Sequence, residues 1–274
     1  MKRFLTLFLS LSITSTLTFA AEYNAAERVP VVGKVLLEKN GLPTTTTFNV
    51  VESVADNSNT TSTNVISVSN SDLAFAGNDN EVAAVVANEL GHIVNGQTSR
   101  NKIRSMAKTA VLSKLSSENI ISTAANSEYL ANKTSLNDNK NADITGVDLM
   151  IKAGYNPLAM VVLITKRPTT STLETLQGKP NNSERAMNTF DYLSYAYPSR
   201  VKTGYGCKEY TAFLTYANPI VEERNSSTKK LAKFNKEQAK NQAKRAKDIA
   251  NYKATGLSGW DTSYQLLQSF TQSK

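Results

Sequence analysis

Along most of the chain apolar residues recur every three or four positions, the spacing that buries one face of an α-helix. Ala21 to Lys39 carries this pattern and is broken by Gly41-Leu42-Pro43. Two short β-branched runs follow, Phe48 to Val51 and Val65 to Val68, separated by the polar stretch Asp56 to Asn64. They predict strand, loop, strand, and hence a small sheet. Asp79 is the expected N-cap of the next helix, whose apolar positions Val82, Val85, Val86, Leu90 and Ile93 keep a helical period. Residues 101 to 131 have helix-forming composition, and a polar loop is expected over Asn132 to Asn141. Ala142 to Ala153 predicts another helix, closed by Gly154 and Pro157, and Leu158 to Thr165 the one after it. A Thr, Gly, Pro and Asn rich surface loop spans 169 to 184, and Glu184 to Tyr195 resumes the helical pattern. No internal repeat is evident.

Charge changes this picture at the C-terminus. The formal charge is +8, yet residues 229 to 253 hold nine Lys or Arg against two Asp or Glu, so the remainder is nearly neutral. With its alanine stripe at 232, 239, 243, 246 and 250, this segment predicts an exposed basic helix joined by the Asn225-Ser226-Ser227-Thr228 linker. Such a tail would favour an anionic surface or an acidic partner.

The N-terminus predicts export. Lys2 and Arg3 form a positive start, Phe4 to Leu11 an apolar stretch, and Thr18-Phe19-Ala20 a small-residue cleavage site before Ala21. No later apolar run is long enough to span a bilayer, so no transmembrane segment is expected once the signal is removed. The domain expectation is a signal over 1–20, a main domain over 21–224 and a basic helical or disordered tail over 225–274. A periplasmic or secreted protein, with envelope association through the tail, follows from this, and nucleic acid is not an expected partner. Cys207 is the only cysteine, so no intrachain disulfide can form, and the expected state is a buried, inert thiol.

The candidate chemistry lies in Asn88-Glu89-Leu90-Gly91-His92. It is one residue short of H-E-x-x-H, in which two histidines four apart on one helix face bind Zn²⁺ while the Glu activates the metal-bound water. Glu89 and His92 occupy the base and second-ligand positions. Asn88 stands where the first histidine would be, and His92 is the only histidine in 274 residues. A Ser or Cys nucleophile would need that same histidine as its base, and Cys207 stands in no recognisable context for it. Gly204-Tyr205-Gly206 lacks the strand-loop-helix setting and third glycine of a phosphate-binding loop.

Several segments in order resemble the HtpX and BepA type of zinc metallopeptidase, the family that includes the CaaX-processing Ste enzymes. Val65 to Leu73 resembles the strand and first turn before the active-site helix, and Asn80 to Ala87 the lead-in to H-E-x-x-H. Ala142-Asp143-Ile144-Thr145-Gly146, followed by Ala153 to Ala159, resembles the third-ligand helix and its close. The similarity covers roughly residues 48 to 200. It implies an α+β, mainly helical fold, a gluzincin-like metallopeptidase scaffold with a small sheet beside the active-site helix. It also implies that the third ligand, a Glu four residues before Asp143, is here Asn139, and that Asp143 is the residue orienting the ligands. A histidine of a His-Pro pair near the family's active site is here Tyr197, before Pro198.

Since carboxamides are poor Zn²⁺ ligands, the expectation is a degenerate site. Glu89 is a vestigial base, His92 the one surviving ligand position, and Asp143 bonds Asn88, His92 or a helix end. His92 itself is expected to pair with Glu89 or Asp143. No cofactor is expected, and the role is that of a non-catalytic pseudopeptidase binding a peptide or protein in its cleft. The alternatives are an active zinc endopeptidase with an atypical ligand set, for which Asp138 and Glu89 are the nearby carboxylates, and an envelope-associated scaffold acting through its tail.

Overall fold

The computed structural model describes residues 23–52, 65–97, 120–168 and 182–254, without the side chains of 120–135 and 252–254. The expected signal, the loop over 56–64, most of the 101–131 segment and most of the 169–184 loop lie outside these residues.

Helix α1, Ala25–Asn40, buries Val29, Val32 and Leu36 on one face and ends where Gly41 takes the left-handed φ of +66°. Strand β1, Thr47–Val51, runs parallel to β2, Val65–Ser69, with Phe48 opposite Ile66 and Val50 opposite Val68. The Phe48 ring lies directly on Gly33 of α1, where an added Cβ would come within 2.3 Å of it. This contact seats the sheet on α1. A short α2, Asn70–Leu73, leads from β2 to α3, Asp79–Val94.

The cap of α3 falls one residue before the expected position. Asn78 is the N-cap, its side-chain oxygen accepting the Asn80 and Glu81 amides at 3.0 and 3.2 Å. Asp79 is instead the first helical residue, and its carboxylate accepts from Arg28 and from Tyr23. The Glu81 carboxylate reaches back to the Gly77 amide at 2.8 Å, a variant of the reciprocal capping box.

Helix α4 runs from Ile120 to Ala153, so the segment expected as a polar loop over Asn132 to Asn141 is helical. The polar composition of 132–141 reads as a loop, while the same helix continues into Ala142 to Met150, where every residue is buried. Gly154, at φ +87°, closes α4, with the Tyr155 amide bonded to the Met150 carbonyl. Helix α5, Leu158–Lys166, is buried on every side from Leu158 to Ile164. Three helices follow: α6 (Ser183–Ala196), α7 (Pro198–Lys202) and α8 (Lys208–Asn225). Helix α9, the last among the described residues, spans Thr228–Ala254.

The core forms around α3, which is flanked by α1, α4 and α5. The fold is thus mainly helical α+β with a two-stranded parallel sheet, as the resemblance implies. Among the described residues no helix is long and apolar enough to cross a membrane.

The basic tail is a helix, as expected, but it is not free of the body. Most of α9 is exposed, yet Arg245 and Ile249 are buried, and Arg245 donates to Thr145 at 2.8 Å and to Asp148 at 3.3 Å on α4.

Candidate functional site

The site is built where α3 crosses α4. Gly91 sits against the Ala142 carbonyl, which an added Cβ would approach to 2.4 Å, and Gly146 sits against the Ala87 carbonyl, with 2.9 Å for the same test. Two glycines, one on each helix, let the backbones touch. That contact brings the Asn88 and Asp143 side chains face to face, and the Asn88 amide donates to Asp143 Oδ1 at 2.8 Å.

Asp143 is fully buried. Its carboxylate is forked by Arg185 of α6, with Nε on Oδ2 at 2.5 Å and an Nη on Oδ1 at 2.7 Å. Burial alone would lower the Arg185 pKa, but the charge and hydrogen bonds of Asp143 reverse this and raise it. The guanidinium is therefore a permanent cation. One carboxylate thus takes three donors from two side chains, and the cationic partner next to Asn88 is an arginine.

Glu89 keeps part of its surface in solvent, yet the protein packed around it raises its carboxyl pKa through desolvation. His92, Arg167 and Arg185 oppose that rise, and Asp72 adds to it. Asp72 and Arg167 pair at 3.2 Å beside Glu89. Burial pushes the Arg167 guanidinium down, with Asp72 the largest opposing charge.

His92 does not pair with Glu89 or Asp143. Its Nδ1 lies 2.7 Å from Oε1 of Gln97, which is buried just beyond the end of α3. The physical reason is position: the chain turns after Asn95, with Gly96 at φ +68°, and brings the Gln97 amide oxygen to the ring. Asn139 lies one turn before Asp143 on α4 and is half-buried, while Asp138 beside it is buried.

Tyr197 joins a different cluster. Its hydroxyl donates to Asp148 Oδ1 at 2.7 Å, as does that of Tyr192 at 2.6 Å. Burial and then the Asp148 charge drive its pKa far upward. Cys207 is half-buried rather than buried: it caps α8, its sulfur accepting the Tyr210 amide at 3.4 Å.

The sequence profile of Peptidase family M48 matches residues 24–194. The chain belongs to that family. No curated protein and no solved structure gives a significant match. The matched span covers α1 to nearly the end of α6, so both helices of the crossing and Arg185 lie inside it, while α7, α8 and α9 lie outside.

Members of the M48 family are zinc metallopeptidases, so the residues present must be tested against that metal. They do not fit it. Asn88 and Asn139, at the positions where the resemblance implies the first and third ligands, bring neutral amides, and the Asn88 carboxamide turns its N–H donor to Asp143. Among the described residues no three His, Cys, Asp or Glu side chains converge to hold an ion.

Arg185, Gln97 and Asp148 were not singled out from sequence. The legible signal for Arg185 was its place one and two turns before Thr189 and Tyr192, on a helix face that those two buried residues share. A charge on a buried face calls for a buried partner.

Proposed function

We propose that this protein is a non-catalytic M48 family member, a pseudopeptidase that retains the family scaffold to bind peptides or envelope proteins. The observation that carries this reading is the Asn88–Asp143–Arg185 contact, in which an amide and a guanidinium take up the carboxylate beside the would-be ligands. A metal-activated water has no anchoring set here, and Glu89 has nothing acidic to deprotonate. Peptide binding would use β2, which has β1 on one side and no second strand neighbour among the described residues. An extended peptide adds to such an edge through main-chain hydrogen bonds.

The test is zinc content of the purified chain by elemental analysis, together with peptide hydrolysis with and without chelator. The expected result is no stoichiometric zinc and no cleavage. Tight zinc with chelator-sensitive hydrolysis abolished by Glu89→Gln would establish the rival reading, an active endopeptidase with an atypical ligand set. On the proposed reading, Asn88→His combined with Asn139→Glu installs two ligands beside His92 and should confer one zinc per chain. Failure of that variant to bind metal would mean that the crossing has drifted from the family's geometry.

Export to the periplasm or the exterior is part of the same proposal and rests on the pattern from Lys2 to Ala20. Mass spectrometry of exported material should find a chain beginning near Ala21. An intact N-terminus on membrane-bound protein would refute it.

A further inference from the structure

Lys229, Lys233, Lys236, Lys240, Lys244 and Lys247 are separated by four, three, four, four and three residues. At about 100° per residue these six fall within an arc of about 80° on α9. All six are exposed. They form a single file about 27 Å long at a rise of about 1.5 Å per residue.

The opposite side of the same helix is the side that docks. Phe234 lies under the Arg224 guanidinium of α8, 4.0 Å from ring centre to charge. Arg245 reaches Thr145 and Asp148, and Ile249 is buried. Anchored near both ends by one face, α9 presents the lysine file outward as a fixed ridge.

What borders the ridge narrows the partner. On one side lie Ala232, Ala239, Ala243, Ala246 and Ala250, a low shelf along which a chain could lie close to the ammonium groups. The other side carries Lys230, Glu237 and Asp248. The ridge holds no aromatic or large aliphatic side chain. A bilayer-seated helix needs such residues to enter the interface, a protein partner needs an apolar anchor, and single-stranded nucleic acid needs aromatic platforms for its bases. It holds no arginine either, and the ammonium group acts as a point charge indifferent to the orientation of what it meets. We infer that α9 is a docking ridge for a linear, base-free polyanion, a polyol-phosphate chain whose charges succeed one another at about the spacing of helical turns. This stands apart from the cleft reading and would hold for an active or an inactive peptidase.

Deletion of the tail would strip Arg245 from Asp148, so the test uses the full chain with substitutions on the ridge alone. Binding of fluorescently labelled poly(glycerol phosphate) is followed by anisotropy across a salt series, alongside anionic phosphatidylglycerol vesicles and oligo(dT). The expected result is poly(glycerol phosphate) binding that falls with salt at a log–log slope of about −4 if all six ammonium groups engage. Lys233→Gln, Lys240→Gln and Lys244→Gln together should weaken it roughly tenfold or more and halve the slope.

The deciding variant conserves charge and composition. Lys233→Asn with Asn235→Lys, and Lys240→Asn with Asn241→Lys, turns two lysines by about 200° and about 100° out of the file. With helicity unchanged by circular dichroism, it should bind nearly as poorly as the triple glutamine variant. Binding equal to the parent chain would overturn the ridge in favour of net charge alone. Tighter binding to vesicles or to oligo(dT) than to poly(glycerol phosphate) would overturn the assigned partner.

Discussion

Among the described residues of helix α4, Asp138, Asp143 and Asp148 are buried carboxylates, and the protein treats the last two alike. Asp143 is forked by Arg185 from α6 and takes an amide from Asn88. Asp148 takes Arg245 from α9 and two tyrosine hydroxyls. The first lies at the α3–α4 crossing, inside the span that matches the family. The second joins the body to a helix outside the matched span. An ionised carboxylate in a dry helix interface must be matched by opposite charge and hydrogen bonds. In both places an arginine far away in sequence supplies them. The likeness teaches that the Asp143 cluster is satisfied as a structural ion pair would be.

The two sites differ in what remains when the arginine goes. Arg185→Ala leaves Asp143 with only the Asn88 amide, and an uncompensated buried charge of this kind costs about 3–5 kcal/mol. Urea denaturation of the variant should show a loss of that size. Arg245→Ala leaves the Asp148 carboxylate two hydroxyl donors, so its loss should fall at the low end of the same range. A reversed order, or an Arg185→Ala chain of parental stability, would break the parallel between the clusters and point to a ligand-binding role for Arg185.

A second perturbation acts on the crossing rather than on the charges. Gly91→Ala drives a methyl against the Ala142 carbonyl. Overpacking at a backbone contact costs about 1–3 kcal/mol, and the helices must part. The Asn88–Asp143 hydrogen bond should then lengthen, visible as altered Asn88 side-chain amide resonances, while the Asp148 cluster stays unchanged. Equal disturbance at both clusters would mean that α4 moves as one rod, and the comparison would lose its meaning.

The smallest expected effect concerns the exposed Arg28–Asp79 pair at the start of α3, paired at 2.7 Å. The Arg28 hydrogen bond holds the Asp79 carboxyl below its ordinary 3.8, with burial opposing and Tyr23 assisting. A depressed carboxyl stabilises the fold fully above the unfolded value and loses that contribution as pH falls through the lower folded one. Asp79→Asn should therefore lower the melting temperature slightly at neutral pH and make no difference once the pH lies below the folded value. Solvent and salt screen so exposed a pair. A large effect at neutral pH would show that Asp79 does more than tether α1 to α3.

Much of the scaffold was legible in the chain. The periodic apolar residues of α1, α3, α5 and α6, the two strands and the stop at Gly154 follow from local rules of spacing, capping and backbone freedom. The α3 cap was displaced by one because Asn and Asp compete for that role, and only the geometry of Asn78 decides between them. The helix through Asn132 to Asn141 was hidden because a polar helical surface and a polar loop have the same composition. The ordered segments around Asn88 and Asp143 revealed the family.

By itself the sequence determined that the chain has a single histidine and that Asn88 and Asn139 are amides, facts of composition that no packing can alter. It also determined the lysine file of α9, because spacing along a helix is local. Only the tertiary structure decided how the buried acids are neutralised. Arg185 meets Asp143 across 42 residues and Arg245 meets Asp148 across 97. Pairings at such separation are set by which helices the core brings together, and the residues near either partner do not say which carboxylate an arginine will meet. The same reason applies to the tail: its charge reads as an independent arm, and one buried arginine and one isoleucine on its far side make it part of the body.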